Sequence, residues 1–342
     1  MIDIKYILLL FLINGLFLIK NDSISNLFQL YDHPDFKRKI HKKKISCIGG
    51  FYLFANLVLL ISYNFFASNK LIPFEYFQNE ITNFYFFLIT FLTIFLIGIY
   101  DDKYGIEPNK KLILFVSIIL FLIMADRDLA INSLRFSFTD NVYNISDYSK
   151  FFTILCIIVF MNAFNMYDGS NLQVSSVSIV IMIYLFSLAK TFDYLSLTFI
   201  VCLIFFSILN FKNKLFLGDN GSLILSFLIS YSLIKFYNMN NIIYADEVCL
   251  LLLMPIIDLL RLFVSRISSG KSPFLSDKKH FHHLILERVS YNQAIILLFL
   301  MYLLPIIFAI ITKKYFLFIT MQILIYLISI ILLNKNKYTN VK

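Results

Sequence analysis

The chain has 342 residues, of which 59% are hydrophobic and 15% charged, with a mean hydropathy of +0.79. That is more apolar surface than a soluble core can hide, so the composition excludes a soluble domain and predicts an all-α integral membrane protein. The net charge of +9 comes from Lys and Arg lying between apolar runs, which fits orientation in a membrane and argues against nucleic-acid binding; the four cysteines carry neither a metal-ligand spacing nor a disulfide framework.

Eleven apolar runs follow one another along the chain, at 6–19, 48–67, 84–100, 111–125, 151–164, 173–189, 194–210, 221–237, 247–264, 293–311 and 316–333. They predict a polytopic bundle of about 10–11 transmembrane helices, read as one domain over 1–342, since a helix rises about 1.5 Å per residue and the hydrocarbon core is about 30 Å thick. The first run lacks a small-residue cleavage site, and positive charge follows it, so it reads as a span with its N-terminus outside, not as a removed leader. Eleven crossings from that start put the loops 20–47, 101–111, 165–172, 211–220, 261–292 and the C-terminal tail on one side. Those segments hold 21 of the 30 Lys and Arg residues, which makes that side cytoplasmic. The opposite loops 68–83 and 126–150 carry no concentrated chemistry, and there is no internal repeat or low-complexity linker.

The unusual polar residues fall on the cytoplasmic side. The first loop runs from Asp32 through Arg38, Lys39 and His41 to Gly49-Gly50. Its seven basic residues between Lys20 and Lys44 suit an anionic headgroup or a phosphorylated ligand, and equally ordinary positive-inside charge. The third apolar run ends in Asp101 and Asp102; two adjacent anions repel, so either a cation such as Mg²⁺ shares the site or the pair caps a helix end in solvent. Asn162, Asn165 and Asp168 at i, i+3 and i+6 share one face if the helix reaches that far, where amides and a carboxylate can bond a base or a sugar; the alternative is a polar helix end with Gly169 as its C-cap. Asp219 stands between Gly218 and Gly221 just before the eighth run, where glycines let a backbone approach a ligand closely and a helix N-terminus favours anions; a plain capped turn reads the same. Finally Asp258, Arg261 and Arg266 lead into Ser268–His283, where His280, His282 and His283 beside Lys278 and Lys279 suggest an anion site. Zinc competes as a reading, without a matching Cys or His cluster.

These motifs together resemble the polyprenyl-phosphate N-acetylhexosamine-1-phosphate transferases of glycosyltransferase family 4. The match rests on Asp32–Gly50 with Arg38, Lys39 and His41, on Gly98–Asp102 followed by Lys111, on Asn162–Gly169, on Gly218–Ser222 and on Ser272–His283, all in the family's order. The His-Phe-His-His form resembles the WecA and TagO branch more than the related MraY. The resemblance implies a helix bundle in the bacterial inner (cytoplasmic) membrane with a cytoplasmic active site, a UDP-N-acetylhexosamine donor with N-acetylglucosamine as default, undecaprenyl phosphate as acceptor, and Mg²⁺, for which Mn²⁺ can substitute. UMP and a lipid-linked sugar diphosphate, the starting intermediate of a surface polysaccharide, would be the products, and a homodimer is compatible. By the same resemblance Asp219, Asp101 and Asp102 hold the metal and, with His282 and His283, form the catalytic set. Arg38, Lys39, His41, Lys111, Asn162, Asn165, Asp168, Asn171, Arg266 and His280 bind substrate. One departure stands out: after Asp168-Gly169 the family continues through a second acidic residue to Gly-Leu, whereas this chain reads Ser170-Asn171-Leu172, which leaves open a re-specialised member. Whether an Asp of the 101–102 pair attacks first or the acceptor does so directly also stays open. A transporter is the competing class, but transporters keep ionisable groups near mid-bilayer, and here they gather at one face.

Overall fold

Each of the eleven apolar runs is a helix in the computed structural model, which describes residues 3–32, 34, 44–66, 81–189, 193–239, 243–273 and 279–339. In chain order the elements are α1 (Ile4–Phe28), the short antiparallel pair β1 (Tyr31–Asp32) and β2 (Ile45–Ser46), α2 (Gly49–Phe66), α3 (Ile81–Tyr104) and α4 (Pro108–Ala125). A second antiparallel pair, β3 (Ser133–Arg135) and β4 (Val142–Asn144), precedes α5 (Ser149–Tyr167), α6 (Gln173–Leu188), α7 (Tyr194–Phe211) and α8 (Gly218–Asn238). The chain closes with α9 (Ala245–Ser268), the short α10 (Phe281–Leu286), α11 (Tyr291–Thr312) and α12 (Tyr315–Thr339). Among the described residues, nine helices are long and apolar enough to cross a membrane. The two others are α6, whose 16 residues reach only about 24 Å at 1.5 Å each, and α8, which is long enough but rich in serine.

α8 is the axis of the bundle. Every residue from Asn220 to Tyr237 is buried, and the helix packs most extensively on α3 and α5, then on α2 and α6. A helix enclosed on all sides needs no polar face, and small side chains let its neighbours approach. Two of its serines bond within the helix: the Ser226 hydroxyl donates to the Leu223 carbonyl at 2.9 Å and Ser230 to the Ser226 carbonyl at 2.8 Å. The outermost helices, α1 and α12, expose rows of Leu, Ile and Phe, including Leu8, Phe11 and Leu12 on α1 and Leu324, Ile328 and Ile331 on α12, as a lipid-facing surface requires.

Two sequence expectations need correction. α8 begins at Gly218, three residues before the apolar run, so Asp219 lies in its first turn and not ahead of the helix. The segment 126–150 does carry buried charge: Asp126 and Lys235, both with fully buried side chains, form an ion pair at 2.7 Å, and the Tyr231 hydroxyl donates to the same carboxylate at 3.1 Å. The pair joins the end of α4 to the last turns of α8. Pairing is what makes two charges tolerable there, because either alone would be stranded in a low-dielectric interior.

Candidate active site

The polar loops at the start of α8 are laced to one another by backbone. The strand leading into α2 and the segment leading into α8 run side by side, with Phe216 N–H donating to Ser46 O at 2.7 Å, Gly49 N–H to Phe216 O at 3.1 Å and Gly50 N–H to Leu217 O at 3.2 Å. Gly218 turns the chain with φ +75°, a conformation that favours glycine, and α8 starts at once. The last turns of α3 lie directly against this start: a Cβ on Gly98 would collide with the Asn220 backbone, and one on Gly50 with the Asn220 side chain.

At that junction the two adjacent acids part company. Asp101 accepts from the Ile106 N–H at 2.6 Å through Oδ1 and forms an ion pair with Lys111 through Oδ2. Lys111, brought in by the first turn of α4, also reaches Asp219 Oδ2 at 3.1 Å, so one ammonium bridges carboxylates from α3 and α8. Asp102 instead accepts from the backbone of α8, the Asp219 N–H at 2.7 Å and the Asn220 N–H at 3.1 Å, and from the Asn220 side-chain amide. Asn165, on α5, faces the same turn, accepting from the Ser222 hydroxyl and hydrogen-bonding the Asp219 side chain. The Asp219 side chain keeps 40% of its surface exposed, so it is the member of this group most open to a ligand.

α5 ends at Tyr167, which sets Asp168 and Gly169 just beyond the helix. Asp168 is solvent-accessible, yet the protein around it limits its hydration, and the charges of Asp219 and Asp102 add to that; together they raise its carboxyl pKa to about 7. Gly169 lies against the His282 ring, with no room for a side chain between them. His282 is 1% exposed, and neither ring nitrogen has a hydrogen-bond partner among the described residues. Burial, and then the neighbouring His283 and His280, hold its pKa well below the ordinary histidine value, so the ring is neutral.

A second cluster fixes the histidine segment. The buried Asp258 of α9 shares a hydrogen bond of 3.0 Å with His280 Nδ1, pairs with Arg261 at 2.8 Å, and accepts from the Tyr326 hydroxyl of α12 at 2.7 Å and from the Phe281 N–H at 3.2 Å. One carboxylate thus ties α9, α10 and α12 together and orients His280, whose ring stacks on His282.

The residues expected at the site therefore divide. Asp101, Asp102, Lys111, Asn165 and Asp219 meet at the head of α8, with Asp168, Gly169 and His282 on its flank and His280 and His283 behind. Asn162 donates to its own helix at Ile158 O, 2.8 Å away, and the buried Arg266 donates to Pro273 O at 2.8 Å. Asn171 is 5% exposed and donates to Asn213 Oδ1 at 2.8 Å, so the amide that stands for the family's second carboxylate knits two loops together. Arg38, Lys39, His41 and Lys278 lie outside the described residues. Sequence reading missed Asn220 and Tyr326 as partners of the acids; Asn220 carried a signal in its place inside the Gly218–Ser222 motif, whereas Tyr326, inside an apolar run, carried none. Among the described residues, no three His, Cys, Asp or Glu side chains are already gathered for a metal ion.

Residues 83–237 match the family described as glycosyl transferase family 4. The chain is similar to the undecaprenyl-phosphate alpha-N-acetylglucosaminyl 1-phosphate transferase of Salmonella typhi, with 25% identity over 84% of this chain and 78% of the relative. It is similar to the proteins of the same name from Yersinia pestis, at 26%, and Escherichia coli strain K12, at 24%, each over the same shares of the two chains.

Proposed function

We propose that this chain acts as a glycosyl transferase of family 4 and transfers N-acetylglucosamine 1-phosphate from its UDP-activated form to undecaprenyl phosphate, releasing UMP. The observation that carries this reading is the bridge of Lys111 between Asp101 and Asp219, three charges from three helices at one polar end of an otherwise apolar bundle. The relatives' names supply the acceptor lipid and the sugar phosphate. We take this end of the bundle as cytoplasmic from the distribution of Lys and Arg.

The acceptor is a phosphate monoester, mostly dianionic at neutral pH because its second pKa is about 6. It needs no strong base to become a nucleophile. The barrier is the approach of one anion to another, so the protein's task is to neutralise charge and align the groups. Lys111 supplies a fixed ammonium beside Asp219. The neutral His282 offers ring nitrogens without a partner among the described residues, one to donate and one to accept, as a phosphate or leaving group requires.

The donor set fits Mg²⁺, which binds oxygen, takes only one or two carboxylates from a protein, and keeps water and substrate phosphate as its other ligands. Asp219, with its open face, and Asp101 beside it would hold the ion, which supplies Lewis-acid polarisation of the donor diphosphate. Mn²⁺ suits the same oxygens. UMP release by the purified protein, with undecaprenyl phosphate, UDP-N-acetylglucosamine and Mg²⁺, with and without EDTA, tests the proposal. EDTA-sensitive release that needs both substrates supports it; no release from folded protein with any UDP-N-acetylhexosamine refutes it.

A further inference from the structure

We infer that Asp102 is a positioning residue, whose carboxylate holds the first turn of α8 and thereby aims Asp219, and that it neither attacks the donor nor binds the metal; the inference rests on the transferase reading above. The first turn of a helix leaves its N–H groups without intrahelical acceptors, and an anion placed there meets both those donors and the positive end of the helix dipole. Asp102 meets that need from another helix. Oδ1 accepts from the Asp219 N–H at 2.7 Å, while Oδ2 accepts from the Asn220 N–H at 3.1 Å and from the Asn220 side-chain amide. Asn220 completes the joint by donating to the Cys47 carbonyl at 3.1 Å, which adds the strand before α2 to the same knot.

Steric detail supports a fixed joint. Gly98, one turn before Asp102 on α3, abuts the Asn220 backbone, and Gly50 on α2 abuts its side chain. At Gly218 any Cβ would crowd Asp102 Oδ2, the Asn220 amide and the Cys47 carbonyl at once, each 2.9 Å away. Three glycines from three elements thus leave room for this carboxylate and this amide. Asp101, one residue earlier, has no bond to α8's backbone; its Oδ1 takes the Ile106 N–H, its Oδ2 pairs with Lys111, and its carboxyl meets the Asp219 side chain directly. The acid pair is therefore one reacting-side carboxylate and one tether. With both oxygens of Asp102 bonded, a covalent phospho-enzyme on that residue would have to break the cap of α8, so this geometry speaks against Asp102 as the attacking group.

Hydrogen exchange on the full-length protein in detergent tests this. Asp102→Asn is expected to speed exchange of the Asp219 and Asn220 amides by about tenfold or more, with the second half of α8 unchanged and Asp101→Asn without effect on those two amides. In the same preparations Asp102→Asn keeps a kcat within about 100-fold of wild type at saturating Mg²⁺ and shifts half-saturation to higher Mg²⁺, because Asp219 is displaced and not removed. Asn220→Ala, which leaves both acids in place, shifts the Mg²⁺ requirement in the same direction and serves if Asp102→Asn does not fold. Unchanged exchange at the two amides in Asp102→Asn, or an unaltered Mg²⁺ requirement in Asn220→Ala, overturns the inference. If wild-type protein releases no UMP, the transferase reading fails by itself, and the exchange measurement still decides whether Asp102 is the tether.

Discussion

The His282 ring is seated against Gly169, so closely that a methyl group on Gly169 would overlap Nε2. The contact joins the loop after α5, which carries Asp168, to α10 and its histidines. Gly169→Ala is expected to push His282 out of place and lower kcat by about 100-fold, the size of effect that follows a shift of about 1 Å in a catalytic group. Turnover of a folded Gly169→Ala protein at wild-type rate would mean that the seat of His282 does not matter to the reaction.

Lys111 is the one cation bonded to both Asp101 and Asp219 among the described residues. Lys111→Met leaves two carboxylates facing each other without it. Breaking a buried pair costs about 3–5 kcal/mol, but Asp219 is 40% exposed and water screens part of the repulsion, so a loss of roughly 1–2 kcal/mol is expected. Thermal unfolding in detergent measures it, and Mg²⁺ should restore part of the loss in Lys111→Met while adding less to wild type.

The pKa of Asp168 sets a pH dependence whose sign can be worked out. Its folded value of about 7 lies above an unfolded value of about 3.9, so the folded state holds the proton more tightly. Its favourable contribution is therefore complete below about pH 4 and fades as pH rises to about 7. Asp168→Asn removes this titration, and its melting temperature relative to wild type should be higher at pH 8 than at pH 5. A difference that is flat across that range would show the carboxyl to be ordinary. His282 works in the opposite sense: its depressed pKa makes the unfolded chain the better proton acceptor, so stability declines as pH falls below about 6.5. His282→Gln should reduce that decline.

Leu172 has φ +65°, a left-handed conformation that a leucine rarely adopts. It occupies the position where the resembled family has glycine. Replacing it by Ala and by Gly removes nearly the same side chain, so the difference between the two isolates the backbone. Leu172→Gly should be more stable than Leu172→Ala by about 1 kcal/mol, the reverse of their usual order, measured by thermal or denaturant unfolding.

The helices were legible because each needs a continuous apolar run, and a run of that length has few other uses in a chain. The motif loops were legible as well, since charge and glycine stand out against such a background. Their internal wiring was not. Asp102 finds its acceptor role 117 residues away, at the Asp219 N–H, and backbone donors leave no mark in a sequence. Tyr326 meets Asp258 across 68 residues from within an apolar run, where one hydroxyl is unremarkable. Asn171 shows the same limit: its place in the motif marked it as a candidate, but nothing in the sequence foretold that its amide donates to Asn213, 42 residues on. α8 was found by its apolar run although its serines lower its hydropathy; what the run could not reveal is that this helix is enclosed by its neighbours.

α8 is gripped by a carboxylate near each end, Asp102 at its first turn and Asp126 on Lys235 toward its last. A rod held in this manner does not slide: an axial slip of one turn, about 5.4 Å, would rupture both grips together. Asp219 consequently keeps a constant height along the bundle. For an acceptor whose phosphate rides on a tail dissolved in the bilayer, that height acts as a depth gauge, and the headgroup must rise or sink to the level of the carboxylate, because the carboxylate does not travel to meet it.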